Sequence, residues 1–321
     1  MSNPNMFIIG APKCGTTALV AYLAEHPDIF ICACKEPFFW SSDIPLPWGD
    51  QMNDLPRSME EYMRLFAGAT DHHLIIGEGS TTYLWSAVAV ERILAFAPDA
   101  KFICMLRNPI DLARAMHTTE VYYFQEPVKD FETAWRLRSE RLLSPDPRVR
   151  IRLDYRSIAS LGTQLKRFMD RVPETQRHII LFDDFAADTQ ACYEGVLRFL
   201  GLPADGRTEF PVINAAGAHR SGRVAQFIMQ PPKWAGGIVR LLRPILRRLG
   251  LRMIRHRLLS AFTRPQRRAP FRPEFHAELV NAFRDEIMLI SQLLGRDLAY
   301  WMDVSNGKRV KPQTAASTPR N

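Results

Sequence analysis

The densest chemical signal in this chain lies in eight residues near its start, Gly10-Ala11-Pro12-Lys13-Cys14-Gly15-Thr16-Thr17. The interval between Gly10 and Gly15 is that of the phosphate-binding pattern G-x-x-x-x-G-K-[ST]. Thr16 stands where that pattern has its lysine, and the lysine has moved inside the loop as Lys13. The physics is still that of an anion cradle. Backbone N–H groups at a helix start point at the anion, the helix dipole adds partial positive charge, and two hydroxyls add donors. A glycine turn with a solvated lysine is the plain alternative, but the loop's place between a strand and a helix argues for the cradle.

The displaced lysine speaks against an ordinary ATPase or kinase, which holds Mg²⁺ with the loop Ser/Thr and an acid after a later strand. The third strand anticipated here is followed by Arg107, not by an acid. Arg107-Asn108-Pro109 opens another helix, so a guanidinium at its mouth makes a second anion site. Two anion sites at the ends of parallel strands suit a nucleotide with phosphate groups at both ends.

The elements that must position these groups follow from the apolar pattern. Residues 7–10, 73–77, 101–106 and 178–182 read as strands. Residues 16–26, 88–97, 131–143, 155–171 and 189–200 read as helices, with one more starting at Asn108-Pro109. Short apolar runs between helices indicate a buried parallel sheet covered on both faces. A long helix over 273–294 presents Phe275, Leu279, Ala282, Phe283, Ile287 and Ile290 at helical spacing and is expected to pack back on the body. The expected fold is a three-layer, P-loop-like α/β domain with a parallel sheet of about five strands and a helical C-terminal extension.

Composition sets the remaining bounds. The 321 residues are 46% hydrophobic and carry a net charge of +8, which excludes disorder for most of the chain. Between Lys233 and Arg272 there are 12 basic residues and no acid, leaving 30 basic against 34 acidic residues elsewhere, a charge of −4. The protein thus reads as a mildly acidic body with one basic insert. No apolar run is long enough for a transmembrane helix, and the first residues lack a secretory pattern. The five cysteines have no metal-site spacing and read as free thiols in a reducing cytoplasm.

Further motifs carry a family likeness. Pro12-Lys13-Cys14-Gly15-Thr16-Thr17, Lys35-Glu36-Pro37-Phe38-Phe39 and Leu106-Arg107-Asn108-Pro109 resemble the sulfotransferases that use 3′-phosphoadenosine 5′-phosphosulfate (PAPS). The likeness is strongest to bacterial members related to the heparan sulfate enzymes. Glu78-Gly79-Ser80-Thr81-Thr82-Tyr83, Asp130-Phe131-Glu132-Thr133-Ala134-Trp135, Asp183-Asp184-Phe185 and Leu294-Gly295-Arg296-Asp297-Leu298 extend it.

The resemblance implies roles. Lys13, Cys14, Gly15, Thr16 and Thr17 would hold the 5′-phosphosulfate, with Lys13 following the charge that develops on the leaving phosphate. Arg107 would bind the 3′-phosphate, and Arg220, Ser221 and Arg223 would close over it. Glu36 matches a general base, and Lys35 beside it would steady the sulfonate or an acidic acceptor; a solvated loop pair is the simpler alternative. Glu78, Ser80 and Tyr83 are candidates for the acceptor cleft or for a core role. His117 is a second candidate base, ranked below Glu36. No metal is implied.

Two departures from the family pattern stand out. Ala115 replaces a serine that assists the 3′-phosphate, expected at the rim of the site, and Phe38 replaces a histidine near the base.

The expected domains are 1–223 plus 273–302 for the PAPS-binding unit, 224–272 for the insert and 303–321 for a polar tail. Residues 44–56 are a lid candidate. Within the insert, Ile238, Leu241, Leu242, Ile245, Leu246 and Leu249 alternate with arginines in an amphipathic pattern. Docked helices, a membrane-surface contact over 236–262 and an acidic-polymer or partner site all fit that pattern. Nucleic acid does not, because interleaved aromatics are missing.

The reaction expected is sulfuryl transfer from PAPS to a hydroxyl or amine of a small-molecule, glycan or glycolipid acceptor, in the cytoplasm or at the inner face of the membrane. The rivals are an ATP-dependent P-loop kinase and a membrane-associated binding protein with a degenerate nucleotide site. The acceptor, the adenine contacts and the oligomeric state are not written in the sequence.

Overall fold

The computed structural model describes residues 3–46, 55–213, 217–219, 263–265 and 269–303. Five parallel strands form the central sheet: β1 (Met6–Gly10), β2 (Ile29–Ile31), β3 (Ile75–Gly79), β4 (Lys101–Leu106) and β5 (Arg177–Leu181). Their order across the sheet is β2-β3-β1-β4-β5. After β1 the chain runs to the edge strand β2 on one side, comes back to β3 beside β1, then crosses to β4 and β5 on the other side. The connections therefore diverge above the carboxyl ends of β1 and β4, where open α/β sheets form their ligand crevice.

Burial explains the strand composition. β1 and β3 are buried at every residue, and β4 is buried at all but Lys101, so near-continuous apolar runs satisfy both faces. The helices are α1 (Thr16–Leu23), α2 (Met59–Arg64), α3 (Ala89–Phe96), α4 (Pro109–Tyr122), α5 (Phe131–Arg136), α6 (Arg138–Leu142), α7 (Tyr155–Ile158), α8 (Leu161–Met169), α9 (Phe182–Ala187), α10 (Thr189–Leu200) and α11 (Pro273–Leu294). Asn108 caps α4 by accepting the Ile110 N–H at 2.9 Å, with Pro109 at the first helical position. α10 ends at Gly201 and α11 at Gly295, both in the left-handed region. α11 buries Phe275, Leu279, Phe283, Ile287 and Ile290, as its spacing predicts, and its Glu286 accepts from the N–H and hydroxyl of Thr163 on α8.

Several boundaries differ from the sequence reading. β3 runs over Ile75–Gly79 rather than 73–77, because its ladder with β1 continues to the pair Ile8 and Gly79. That shift draws Glu78 into the strand. β2, only three residues long, lacks enough residues to show a period. The continuous helices expected over 131–143 and 155–171 are each broken, the first at Leu137 and the second between Ile158 and Leu161. Behind α4, the ion pairs Arg141–Glu126 (2.8 Å) and Arg152–Glu120 (2.9 Å) are buried, and Tyr155 donates to Glu126 at 2.7 Å.

All five cysteines are free; Cys14, Cys32 and Cys104 are buried. No helix among the described residues is long and apolar enough to cross a membrane. Gly217–His219 (β6) pairs antiparallel with Thr263–Pro265 (β7). The rest of the basic insert up to residue 268, the core of the lid candidate (47–54) and residues 304–321 lie outside the described residues.

Candidate active site

The loop after β1 and the first turn of α1 form the centre of the crevice. Gly15 is the N-terminal boundary residue of α1, with φ 89°, and no side chain caps the helix. A Cβ on Gly15 would sit 3.2 Å from the Phe185 ring and 3.4 Å from that of Phe182, so glycine serves both the backbone angle and the close approach. Lys13 is also left-handed (φ 62°), a conformation that costs a non-glycine residue energy and that clusters at ligand sites. Cys14 is fully buried and its thiol donates to the Pro12 carbonyl at 3.4 Å. Burial pushes this thiol up to about 12, with Arg107 and Lys13 opposing only in part. Cys14 can therefore offer an anion its backbone N–H but no thiolate.

Arg107, immediately after the carboxyl end of the neighbouring β4, leans over this loop. One guanidinium nitrogen donates to the Lys13 carbonyl at 3.2 Å and another reaches Asp111 at 3.4 Å. Its plane rests on the Phe182 ring, 4.7 Å from the centroid. Its Nε is buried and has no hydrogen-bond partner, a costly state that an anionic ligand would relieve. Phe182, which no sequence motif singled out, is the first residue after β5. Its one signal is an aromatic residue placed at a strand's carboxyl end.

The floor beneath Arg107 is clamped from the chain's far end. Asp183 accepts from the Tyr300 hydroxyl at 3.0 Å and from the Trp301 indole N–H at 2.7 Å. Asp184 pairs with Arg296, and Asn108 donates to the Trp301 carbonyl at 2.8 Å. Two motifs 112 residues apart, Asp183-Asp184 and the stretch following Leu294, thus meet as one structure. Ala115 is buried at 1% exposure, not at the rim as expected, and the Thr118 hydroxyl donates to its own helix at the Arg114 carbonyl.

Glu36 enters from the other side of the crevice, on the loop after β2. Its backbone N–H donates to the Gly79 carbonyl at 3.1 Å, and its carboxylate accepts from the Thr81 hydroxyl at 2.8 Å. Its carboxylate lies 3.5 Å from the Lys35 ammonium, and that same ammonium donates to the Thr17 hydroxyl of α1. One lysine therefore joins the anion cradle to the carboxylate. Both Glu36 (φ 60°) and Phe38 (φ 55°) are left-handed. Thr81 belongs to a motif that carries the family likeness, but nothing in the sequence ties it to Glu36.

For four candidates the structure decides between the alternatives that the sequence left open. Glu78, Ser80 and Tyr83 are all fully buried. Glu78 accepts from the hydroxyls of Tyr62 (2.8 Å), Ser80 (2.9 Å) and Tyr83 (2.8 Å). Burial raises its carboxyl from 4.5 to about 7 against these three donors, with the Glu36 charge adding to the rise. All three take the core role that the sequence left open beside the acceptor cleft, Glu78 on β3 and Ser80 and Tyr83 on the turn after it. His117 is likewise buried, bonded to the Val128 carbonyl at 2.8 Å and packed between Phe131 and Tyr155. Burial lowers its pKa and encloses the ring in the core, on the side of α4 that packs against α5 and α7. Arg220, Ser221 and Arg223 lie outside the described residues.

Comparison with known proteins agrees with this fold. A family model described as "Sulfotransferase family" matches residues 4–206. A mouse protein, carbohydrate sulfotransferase 15, is 31% identical over 144 residues, covering 34% of this chain and 26% of the mouse protein. Human heparan sulfate glucosamine 3-O-sulfotransferase 6 is 27% identical over 143 residues, covering 41% of this chain and 38% of the human one. The matched stretch thus spans about a quarter to two fifths of these relatives. The crystal structure of a sulfotransferase from Alicyclobacillus acidocaldarius superposes with a TM-score of 0.69 at 25% identity, covering 94% of this chain and all of that one. With a family match over 203 of its 321 residues, the chain belongs to the sulfotransferase family.

Proposed function

We propose that this protein transfers a sulfuryl group from PAPS to a hydroxyl or amine of a carbohydrate acceptor. The observation that carries the reading is Lys35, whose ammonium touches both Thr17 of the anion cradle and the Glu36 carboxylate. A donor held in the cradle therefore has a proton acceptor within one lysine's reach. The residues fit a nucleotide with two phosphate-bearing ends. The start of α1 is uncapped for one end, and Arg107 has an unpartnered buried Nε for the other. PAPS would supply the activated sulfuryl group.

The roles of the chain's own residues follow. The backbone N–H groups of 13–17 and the Thr16 and Thr17 hydroxyls bind and orient the phosphosulfate end. Lys13 neutralises charge on the bridging oxygen as the bond from that oxygen to sulfur breaks. Arg107 holds the 3′-phosphate. Glu36 takes the proton from the acceptor oxygen or nitrogen as the new bond to sulfur forms, and later releases it to water. The buried hydroxyl network around Glu78 lies below Glu36 and outside these steps. A carbohydrate acceptor is the extension that the named relatives support.

Calorimetry with adenosine 3′,5′-bisphosphate is the direct test. Binding that ATP does not match is expected, and no binding at millimolar ligand would remove the proposal. Glu36→Gln is expected to bind the nucleotide like the wild type and to lose transfer of labelled sulfate from PAPS. Unchanged transfer would remove Glu36 as the base.

A further inference from the structure

The loop that carries Glu36 is held by a row of hydroxyls on the chain after β3. Ser80 accepts the Phe38 N–H at 3.2 Å, Thr81 donates to the Glu36 carboxylate at 2.8 Å, and Thr82 shares a hydrogen bond with Ser41 at 2.7 Å. Three successive residues thus grip three points of a six-residue loop. Ser80 is itself oriented from below, since its hydroxyl donates to Glu78 Oε2. Glu78 Oε1 takes the Tyr62 and Tyr83 hydroxyls, and Tyr62 in turn accepts the Trp40 indole N–H at 3.0 Å, on the same loop. Phe39 stacks on the Tyr62 ring, 4.5 Å between centroids.

This restraint has something to hold. Glu36 and Phe38 are both left-handed although neither is glycine, and Pro37 between them has no N–H to contribute. Left-handed residues persist only where the surroundings over-determine them. A freed loop would relax towards ordinary backbone angles and carry the Glu36 carboxylate away from Lys35 and Thr17.

We infer that Glu78 and Ser80 are positioning residues: the buried Glu78 carboxyl orients the Ser80 hydroxyl, which holds the Phe38 amide and with it the left-handed loop that aims Glu36 at the anion cradle. The inference rests on the proposed role of Glu36 for its catalytic consequence, but the restraint itself is independent of any reaction. The groups that face Glu78 are Tyr62 from α2, Tyr83 and Ser80 from its own segment, Cys32 after β2 and Glu36 from the loop.

Two measurements on Ser80→Ala, read beside Glu36→Gln, separate the parts. Hydrogen–deuterium exchange is expected to quicken for residues 36–41 in Ser80→Ala by about tenfold or more, while β1 and β4 stay protected. Unchanged exchange at Phe38 overturns the inference, whatever the turnover. Release of adenosine 3′,5′-bisphosphate from PAPS, with water or heparan sulfate as acceptor, gives the second readout. In Ser80→Ala kcat is expected to fall by about 10–100-fold, with the KM for PAPS and the affinity for the product nucleotide within about twofold. Wild-type kcat in Ser80→Ala, while Glu36→Gln is inactive, also overturns it. A broad loss of protection across the sheet would mean a fold defect and would overturn the assignment of a local role. Should Glu36→Gln keep its turnover, the base reading fails, and exchange at Phe38 alone decides the restraint.

Discussion

Glu78→Gln has a consequence that can be worked out in free energy. The carboxyl is fully buried, and burial raises it from 4.5 to about 7 although three hydroxyls donate to it. Below pH 4.5 the group is protonated in both the folded and the unfolded chain and affects neither. Between 4.5 and 7 the unfolded chain loses this proton while the folded chain keeps it. The unfolded state then binds fewer protons, so stability falls as pH rises, by about 1.4 kcal/mol per unit. Above pH 7 the accumulated cost is about 3 kcal/mol, an upper figure for one buried group. Glutamine cannot ionise, and its carbonyl oxygen keeps one acceptor for the hydroxyls that donate to Glu78.

The assay is urea denaturation of both proteins at half-unit steps from pH 4.5 to 8. The stability of the variant minus that of the wild type should rise steadily across this window and level off above it. Its absolute offset also reflects the fit of the amide, so the slope carries the reasoning. A flat difference would mean that Glu78 is not desolvated as the fold places it. A flat difference in this window joined to one that falls with rising pH, at further points taken below 4.5, would mean that the three hydroxyl donors outweigh burial and hold the carboxylate charged. Either result refutes the account.

The remaining predictions concern the crevice. Lys13→Ala should lower kcat for transfer from PAPS by about 100-fold while changing nucleotide affinity less than tenfold, measured by steady-state kinetics beside calorimetry. The reverse split would make Lys13 an anchor only. Arg107→Ala should weaken adenosine 3′,5′-bisphosphate by about 10–100-fold, the usual worth of a hydrogen-bonded charge, and adenosine 5′-phosphate far less. Equal losses for both ligands would place Arg107 away from the 3′ end. Gly15→Ala should cost about 1–3 kcal/mol of stability, since the residue needs φ 89° and its Cβ would press on Phe185; denaturant midpoints at an unchanged m-value check this. Asp183→Ala strips the acceptor from the buried Trp301 indole and should cost about 1–3 kcal/mol, with nucleotide binding weakened in parallel through Asn108 and Arg107. A stability loss with wild-type binding would show that the C-terminal clamp does not support the site.

Chemistry that is local along the chain is legible in the sequence. The loop over 10–17 needs only contiguous residues and a strand-to-helix transition, so its glycines, lysine and threonines announce it. The same holds for Asn108-Pro109 as a helix start and for α11, whose 22 residues give the helical period room to show. The three-residue β2 has no such room. Likewise, a glutamate flanked by glycines looks like the end of β3, although its neighbour β1 extends that strand by pairing Ile8 with Gly79. The decision depends on the partner strand and not on local propensity.

The crevice's cations and its carboxylate, Lys13, Arg107 and Glu36, can all be picked from the sequence, since each sits in a contiguous motif. What each of them rests on cannot. Phe182 under Arg107, Trp301 under Asn108 and Thr81 on Glu36 come from elsewhere in the chain, and their meeting depends on strand order. Glu78 is the sharpest case. By itself it reads as an acid near a cleft, and only its burial among three hydroxyls shows it to be an internal support. The sequence by itself determined which groups could bind an anion and accept a proton. The tertiary structure decided which of them face the crevice and which hold up those that do, because burial and hydrogen-bond partners are properties of neighbours in space.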